Sequence, residues 1–389
     1  MERTSRRDAR ARVVGVLAEA GAVSRADLAR RAALAPSTVS AVVSELHAAG
    51  LVVEPAAPAH PPERGTVGRP PVLIALHRRA GVVAGLDFGK RHLRLAISDL
   101  SHQLLAERHR TLDVDLPAQA AIALAAQVFT DALVEAEVAR DEVVRVGMGL
   151  PGPVHRPSGE LGNSTILPGW AGTRAADAVS AALDLPVEVE NDANLGALGE
   201  WMWGAGRGAA NLAYVKASTG IGAGFIIAGA PYVGAGGTAG ELGHTVVDPG
   251  GPICRCGNRG CLETFAGAPA ILSSLRDIHG DGLTLPDAVS LADRGDAGCQ
   301  RAISDAGAAI GTAVATLCNL FNPQRIVVGG DLGAAGELLL APLRESLARS
   351  AIRSAAEDVT VVQSELGDRA EVLGAVALVL GKGAQATTA

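Results

Sequence analysis

One imidazole and three thiols crowd into the stretch that runs from Gly243-His244 to Cys254-Arg255-Cys256-Gly257-Asn258-Arg259-Gly260-Cys261. Four such ligands complete a tetrahedral Zn²⁺ shell, which predicts a structural zinc held by His244, Cys254, Cys256 and Cys261. Gly257 and Gly260 allow the tight turn that returns Cys261 to the cluster. A closed shell leaves no position for water, so a zinc hydrolase is disfavoured. The remaining two of the five cysteines, Cys299 and Cys318, stand in apolar helical surroundings and read as core. An odd cysteine count in a long chain argues against a disulfide framework.

A second constellation is Glu190-Asn191-Asp192-Ala193-Asn194 at a strand end. A carboxylate beside an amide can hold a sugar hydroxyl and, as a base, remove its proton. The same residue types also cap helices. Two glycine clusters, Ser218 to Gly224 and Gly329 to Gly333, could cradle an anion on backbone N–H groups or serve as plain turns.

The elements that position these groups form two blocks. Apolar residues Val13, Val14, Leu17 and Ala18 recur at helical spacing within 8–20, ended by Gly21. Ser24 caps a helix over 25–31, and Pro36 opens a third that ends at Gly50. A strand begins at Leu51. Helix, helix, short turn, helix and strand make a winged helix-turn-helix, with Ser37, Thr38, Ser40 and Ser44 outward as candidate DNA contacts. Residues 55–71 hold six prolines with Gly65 and Gly68, a wing or linker expected to mark the domain boundary. Within it, Arg69 sits between Gly68 and Pro70, where an extended arginine can enter a narrow minor groove or simply belong to a linker. From residue 82 strands and helices alternate: strands over 82–88, 92–98, 103–110, 143–150, 186–190, 212–217, 222–228, 325–328 and 359–363, a helix over 117–139 and a buried last helix over 370–380. Two similar α/β halves around a cleft fit this order.

The charge is asymmetric. Residues 1–79 carry twelve arginines and no lysine against seven acids, a net of +5, on a chain whose total is −7. That is the pattern of a small polyanion-binding module on an acidic body, although a solvated basic tail has the same composition. Hydrophobic residues make up 48%, which excludes global disorder. No run of 18 apolar residues and no secretory h-region is present, so a cytoplasmic protein is expected, without a membrane partner.

The motifs Glu190 to Asn194, Gly240-Glu241-Leu242-Gly243-His244 and Cys254-x-Cys256-x4-Cys261-Leu262-Glu263, in that order, resemble the ROK family of repressors, open reading frames and kinases over nearly the whole chain. The resemblance implies a two-lobed actin-like ATPase (ribonuclease H-like) fold after a winged helix. The expected division is 1–79 for DNA binding and 80–389 for sugar binding, the latter with lobes at about 80–190 plus the last helix and at 191–368. It further implies that Asn191, Asp192, Glu241, His244 and Glu263 hold pyranose hydroxyls, with Asp192 in the place of the kinase base and His244 serving metal and sugar together. Gly152, Asn163 and Gly169 match flanking positions more loosely.

One departure bears on activity. Where kinases of the family carry a phosphate loop of the type Asp-x-Gly-Gly-Thr-Lys, this chain reads Asp87-Phe88-Gly89-Lys90-Arg91-His92. Close approach of a triphosphate needs residues with little side chain, and Lys90 and Arg91 obstruct it. The expectation is therefore a sugar-responsive transcriptional regulator, a repressor in the family's terms, with a vestigial base and no kinase turnover. The alternative is an active sugar kinase that carries a DNA-binding module. The expected partners are operator DNA, a small sugar and a second copy of the chain, as a homodimer or dimer of dimers. Because the 55–71 segment looks too flexible for a lever, coupling of sugar to DNA is expected to run through the dimer interface.

Overall fold

A computed structural model describes residues 2–54, 72–77, 80–112, 116–155, 160–161, 167–170 and 172–386. Arg69 and Asn163 lie outside them. The chain opens with α1 (Glu2–Ala20), β1 (Val23–Ser24), α2 (Arg25–Ala32), α3 (Pro36–Ala48), β2 (Val52–Val53) and β3 (Leu73–Leu76). Local chemistry sets these boundaries. The Ser24 hydroxyl accepts from the Asp27 N–H at 3.1 Å and caps α2. Pro36 occupies the first turn of α3, and Gly50, at φ +70°, ends the helix in a left-handed turn. Val39, Val42, Val43 and Leu46 of α3 are buried, whereas Ser37, Ser40 and Ser44 are exposed and Thr38 is half-buried.

β3 pairs antiparallel with both β1 and β2 in one three-stranded sheet. The proline-rich 55–71 segment therefore joins two strands of the same winged-helix sheet. It does not mark the domain boundary, and the chain leaves the sheet only after Leu76. The two-residue strand β1 escaped the sequence reading because its partner is fifty positions away.

Two lobes follow. The first comprises β4 (Val82–Phe88), β5 (His92–Asp99), β6 (Leu104–Thr111), α4 (Ala118–Ala136), β7 (Val143–Leu150), β8 (Val154–His155), β9 (Glu160–Leu161), α5 (Ala175–Leu183) and β10 (Val187–Asn191). The second follows α6 (Asp192–Trp203). It comprises β11 (Leu212–Ala217), β12 (Ile221–Ile227), β13 (Ala230–Tyr232), α7 (Glu263–Ala266), α8 (Ala268–His279), α9 (Leu285–Asp293), α10 (Ala297–Phe321), β14 (Arg325–Gly329), α11 (Glu337–Ser350), α12 (Arg353–Glu357) and β15 (Thr360–Gln363), and α13 (Ala370–Ala386) closes the chain. The sheet orders are β10-β7-β4-β5-β6 and β15-β14-β11-β12-β13. In each the opening strand is central, runs antiparallel to the next strand and parallel to its other neighbour. The topology is thus duplicated.

Helix α10 is long and apolar enough to cross a membrane by composition. It packs instead against α8, α9 and α11 within the second lobe's core.

α13 returns to the first lobe and is gripped backbone to backbone. A Cβ at Gly147 of β7 would lie 1.9 Å from the Ala375 carbonyl oxygen, and one at Gly374 would lie 1.8 Å from that of Leu195 on α6. On another side α13 supports α1: Val372, Leu373, Val376, Val379 and Leu380 share one hydrophobic cluster with Val13, Val14, Leu17 and Ala18. His102, in the β5–β6 turn, adds a hydrogen bond between its Nε2 and the Ala18 carbonyl. The winged helix is therefore docked on the lobes.

Candidate functional site

The β10–α6 junction places its polar residues by hydrogen bonds. The Asn191 side-chain oxygen Oδ1 accepts from the N–H groups of Ala193 (2.9 Å) and Asn194 (3.2 Å), and its Nδ2 donates to the Gly152 carbonyl at 3.0 Å. Both ends of this amide are thus engaged, as the capping role requires. Glu190 is buried, accepting from the Asn191 N–H at 2.9 Å and the Asn194 side chain at 3.1 Å. The Asp192 carboxylate accepts from the Ala193 N–H at 2.9 Å and faces the Lys216 ammonium at 2.9 Å.

Lys216 is a residue that motif reading passed over. It projects from β11 and also reaches Glu371 of α13 at 3.2 Å. Burial pushes the ammonium down, but the charges of Asp192, Glu371 and Asp87 more than offset this, so the lysine stays protonated well above its ordinary range. Burial, reinforced by Asp87 and Asp192 and opposed by Lys216, raises the Glu371 carboxyl. A sequence signal existed: Lys216 interrupts an apolar strand and is one of only three lysines in the chain.

The first lobe's hairpin turn is filled. The His92 imidazole pairs with the buried Asp87 carboxylate at 2.7 Å. It lies so close over Gly89 that a Cβ there would meet it at 2.1 Å. Burial raises the Asp87 carboxyl, and the hydrogen bond with His92 plus the charges of His92, Lys216 and Arg94 reverse this to a net lowering. Burial also depresses Lys90, which feels Arg255 and Glu263.

The thiol cluster folds as a knuckle. Bridges Val246–Cys261 and Ile253–Arg259 close it, and the Cys254 N–H donates to the Asn258 carbonyl at 2.7 Å. Gly257 and Gly260 sit at φ +91° and +69°, as the turn demands. The ligand atoms of His244, Cys254, Cys256 and Cys261 all lie within 4.8 Å of one another. The pairs Cys254 Sγ–His244 Nδ1 and Cys256 Sγ–Cys261 Sγ are separated by 3.5 and 3.7 Å. Those spacings suit the edges of a tetrahedron about one ion with Zn–N and Zn–S lengths of about 2.0–2.3 Å, so the residues present fit a divalent metal.

The knuckle and the cleft meet. His244 turns its Nε2 to Glu241, 3.9 Å from Oε2. Burial raises the Glu241 carboxyl; His244 opposes this, while Asp192 and Glu263 add to it. Glu263 forms a bidentate pair with Arg255, Nε–Oε1 2.8 Å and Nη2–Oε2 3.0 Å. It also accepts from the Ile221 N–H at 3.3 Å. Arg255, between two metal-binding candidates, thereby ties the knuckle to the second lobe's glycine turn. Glu241 thus lies within electrostatic reach of Asp192, His244 and Glu263, which come from different parts of the chain.

Residues 83–382 match the ROK family, and residues 6–60 match the MarR family. A putative xylose repressor from Caldicellulosiruptor sp. is 32% identical over 371 residues, covering 92% of each chain. A glucokinase from Thermotoga maritima is 35% identical over 61% of this chain and 80% of its own. A solved structure described as a ROK family transcriptional regulator, homolog of the E. coli MLC protein, superposes with a TM-score of 0.76 at 25% identity, covering 99% of this chain and 98% of its own.

Proposed function

The chain belongs to the ROK family, and from that premise we propose that it is a sugar-responsive, DNA-binding transcriptional regulator of the repressor branch. The observation that carries this is the winged helix docked on α13, sharing one hydrophobic core with the lobes. α3 would enter the major groove with Ser37, Thr38, Ser40 and Ser44 at its surface, and Arg69 in the wing would reach the minor groove. A homodimer would then read two half-sites. A cytoplasmic protein is the corresponding location.

A pyranose would be held by Asp192, Glu241, His244 and Glu263, with Asn191 setting the position of the neighbouring Asp192. Zinc at His244, Cys254, Cys256 and Cys261 would fix the knuckle, and through it the His244 and Glu263 side chains. A structural ion of this kind contributes folding energy and orients its ligands.

Kinase turnover is opposed at three points. Lys90 and Arg91 crowd the phosphate turn, His92 covers Gly89 and binds Asp87, and the Lys216 ammonium neutralises Asp192. A base paired with an ammonium is a weak one, and phosphoryl transfer depends on positioning that the filled turn denies. The kinase reading retains support from Asp87, Asp192 and the likeness to the glucokinase.

The test is fluorescence anisotropy of a duplex selected by the full-length protein from a random pool, with xylose and glucose added in turn. The expected sugar-induced change in DNA affinity is about 5- to 150-fold, abolished by Asp192→Asn. ATP-dependent phosphorylation of either sugar at an ordinary kinase rate would establish the other reading.

A further inference from the structure

We infer that Lys216 is the residue that reads occupancy of the sugar site and passes it, through Glu371 on α13, to the winged helix; this rests on Asp192 being a sugar ligand. Lys216 Nζ stands between two carboxylates, 2.9 Å from Asp192 Oδ2 and 3.2 Å from Glu371 Oε1. Asp87 adds a third negative charge nearby, and its Oδ1 is buried without a hydrogen-bond partner. One ammonium thus stands between two carboxylates, with Asp87, itself paired with His92, nearby. In such surroundings an ion pair cannot be loosened without a large compensating contact.

A sugar hydroxyl that donates to Asp192 competes with Lys216 for the same oxygen. The ammonium then shifts toward its remaining partner, Glu371, which is also held by the Tyr214 hydroxyl at 3.2 Å. Glu371 lies in the first turn of α13. That helix cannot absorb a displacement with side-chain rotations, because its backbone touches β7 at Gly147 and α6 at Leu195 with no side chain between. Packed backbones move as units. The face of α13 that would move carries α1 of the winged helix. The route lies within one chain, and the sugar biases it only through its different contacts in the two states.

This route stands beside the one expected through a dimer interface, because the winged helix shares a hydrophobic core with α13 of the same chain.

The test uses the full-length protein and xylose or glucose. Glu371→Gln removes the charge while leaving the Asp192–Lys216 pair in place. Sugar affinity of the free variant, measured by calorimetry, should stay within about threefold of wild type, while the sugar-induced change in DNA affinity falls below about twofold from the about 5- to 150-fold range. Glu371→Asp, which keeps the charge, should restore part of the response, a rescue that mere packing would not give. Val376→Ala, in the hydrophobic cluster that α13 shares with α1 and β4, provides a second variant that spares the ion pairs, with the same expected split between sugar affinity and response. A full DNA response in Glu371→Gln, or in Val376→Ala should Glu371→Gln not fold, overturns the relay. A wild type that binds neither sugar overturns the sugar-site reading itself, and with it the premise of the relay.

Discussion

The two lobes share one strand order, yet their opening hairpins have diverged. In the first lobe the β4–β5 turn reads Gly89-Lys90-Arg91, with His92 folded back on Asp87. In the second, the β11–β12 turn reads Ser218-Thr219-Gly220, with small side chains and Glu263 as its neighbour. A duplicated fold supplies two cradles of similar backbone geometry, but only side-chain volume decides which can admit an anion. The lobes also bear different loads. The first, through α13, carries the winged helix, and the second carries the thiol knuckle.

The largest expected effect separates those loads. Cys256→Ser should release the metal and destabilise the second lobe by more than about 4 kcal/mol, as expected for loss of a structural ion. Metal analysis and thermal unfolding check it, and zinc-free wild-type protein of full stability would refute it. Next is the grip on α13. Gly147→Ala puts a methyl against the Ala375 carbonyl and should cost about 3 kcal/mol, the upper end of overpacking. Gly220→Ala in the second lobe meets the ends of the Glu263 and Arg255 side chains and no backbone, and should cost less in the same urea titration.

A smaller effect sharpens the contrast between the turns. The double substitution Lys90→Gly, Arg91→Thr should raise affinity for a nonhydrolysable ATP analogue by about tenfold, or about 1.4 kcal/mol. Turnover should remain absent while Lys216 is paired with Asp192. Calorimetry reads the binding, and unchanged affinity would assign the block to His92 alone. The smallest effect concerns His102 beneath α1. Burial lowers this imidazole from its ordinary 6.5, with the Ala18 carbonyl and Asp99 opposing. Its neutral form is the one that fits the fold. The contribution is therefore complete at neutral pH and declines as pH falls below the ordinary imidazole range. Thermal unfolding between neutral and mildly acidic pH should show a decline that His102→Gln reduces.

Much of the architecture could be read from local pattern. β7 spans Val143–Leu150 as its apolar run indicates, and β11 spans Leu212–Ala217. The long helix expected over 117–139 ends at Ala136, because Glu137 takes a left-handed conformation at φ +52°. That ending has no glycine to announce it. The short strands β1, β8, β9 and β13 carry too few residues to show a period and exist only through their partners. Among the candidate site residues, the knuckle cysteines and Asp192 belong to compact motifs. Lys216 and Glu371 do not, since each acquires its meaning from a residue far away in sequence, whereas Arg255 and His92 stand inside such motifs but show their partners, Glu263 and Asp87, only once the local chain is folded.

The sequence by itself determined the order of the elements, the basic module at the front, the donor set of the knuckle and the long side chains in the β4–β5 turn. Each is a matter of residue type at short spacing, where covalent geometry limits the outcomes. The tertiary structure alone decided that the winged helix rests on α13 and that a single lysine links Asp192 to that same helix. These depend on packing between segments separated by up to several hundred residues. Burial strengthens such contacts by removing water from around the charges, and no local pattern in the chain encodes where burial will occur.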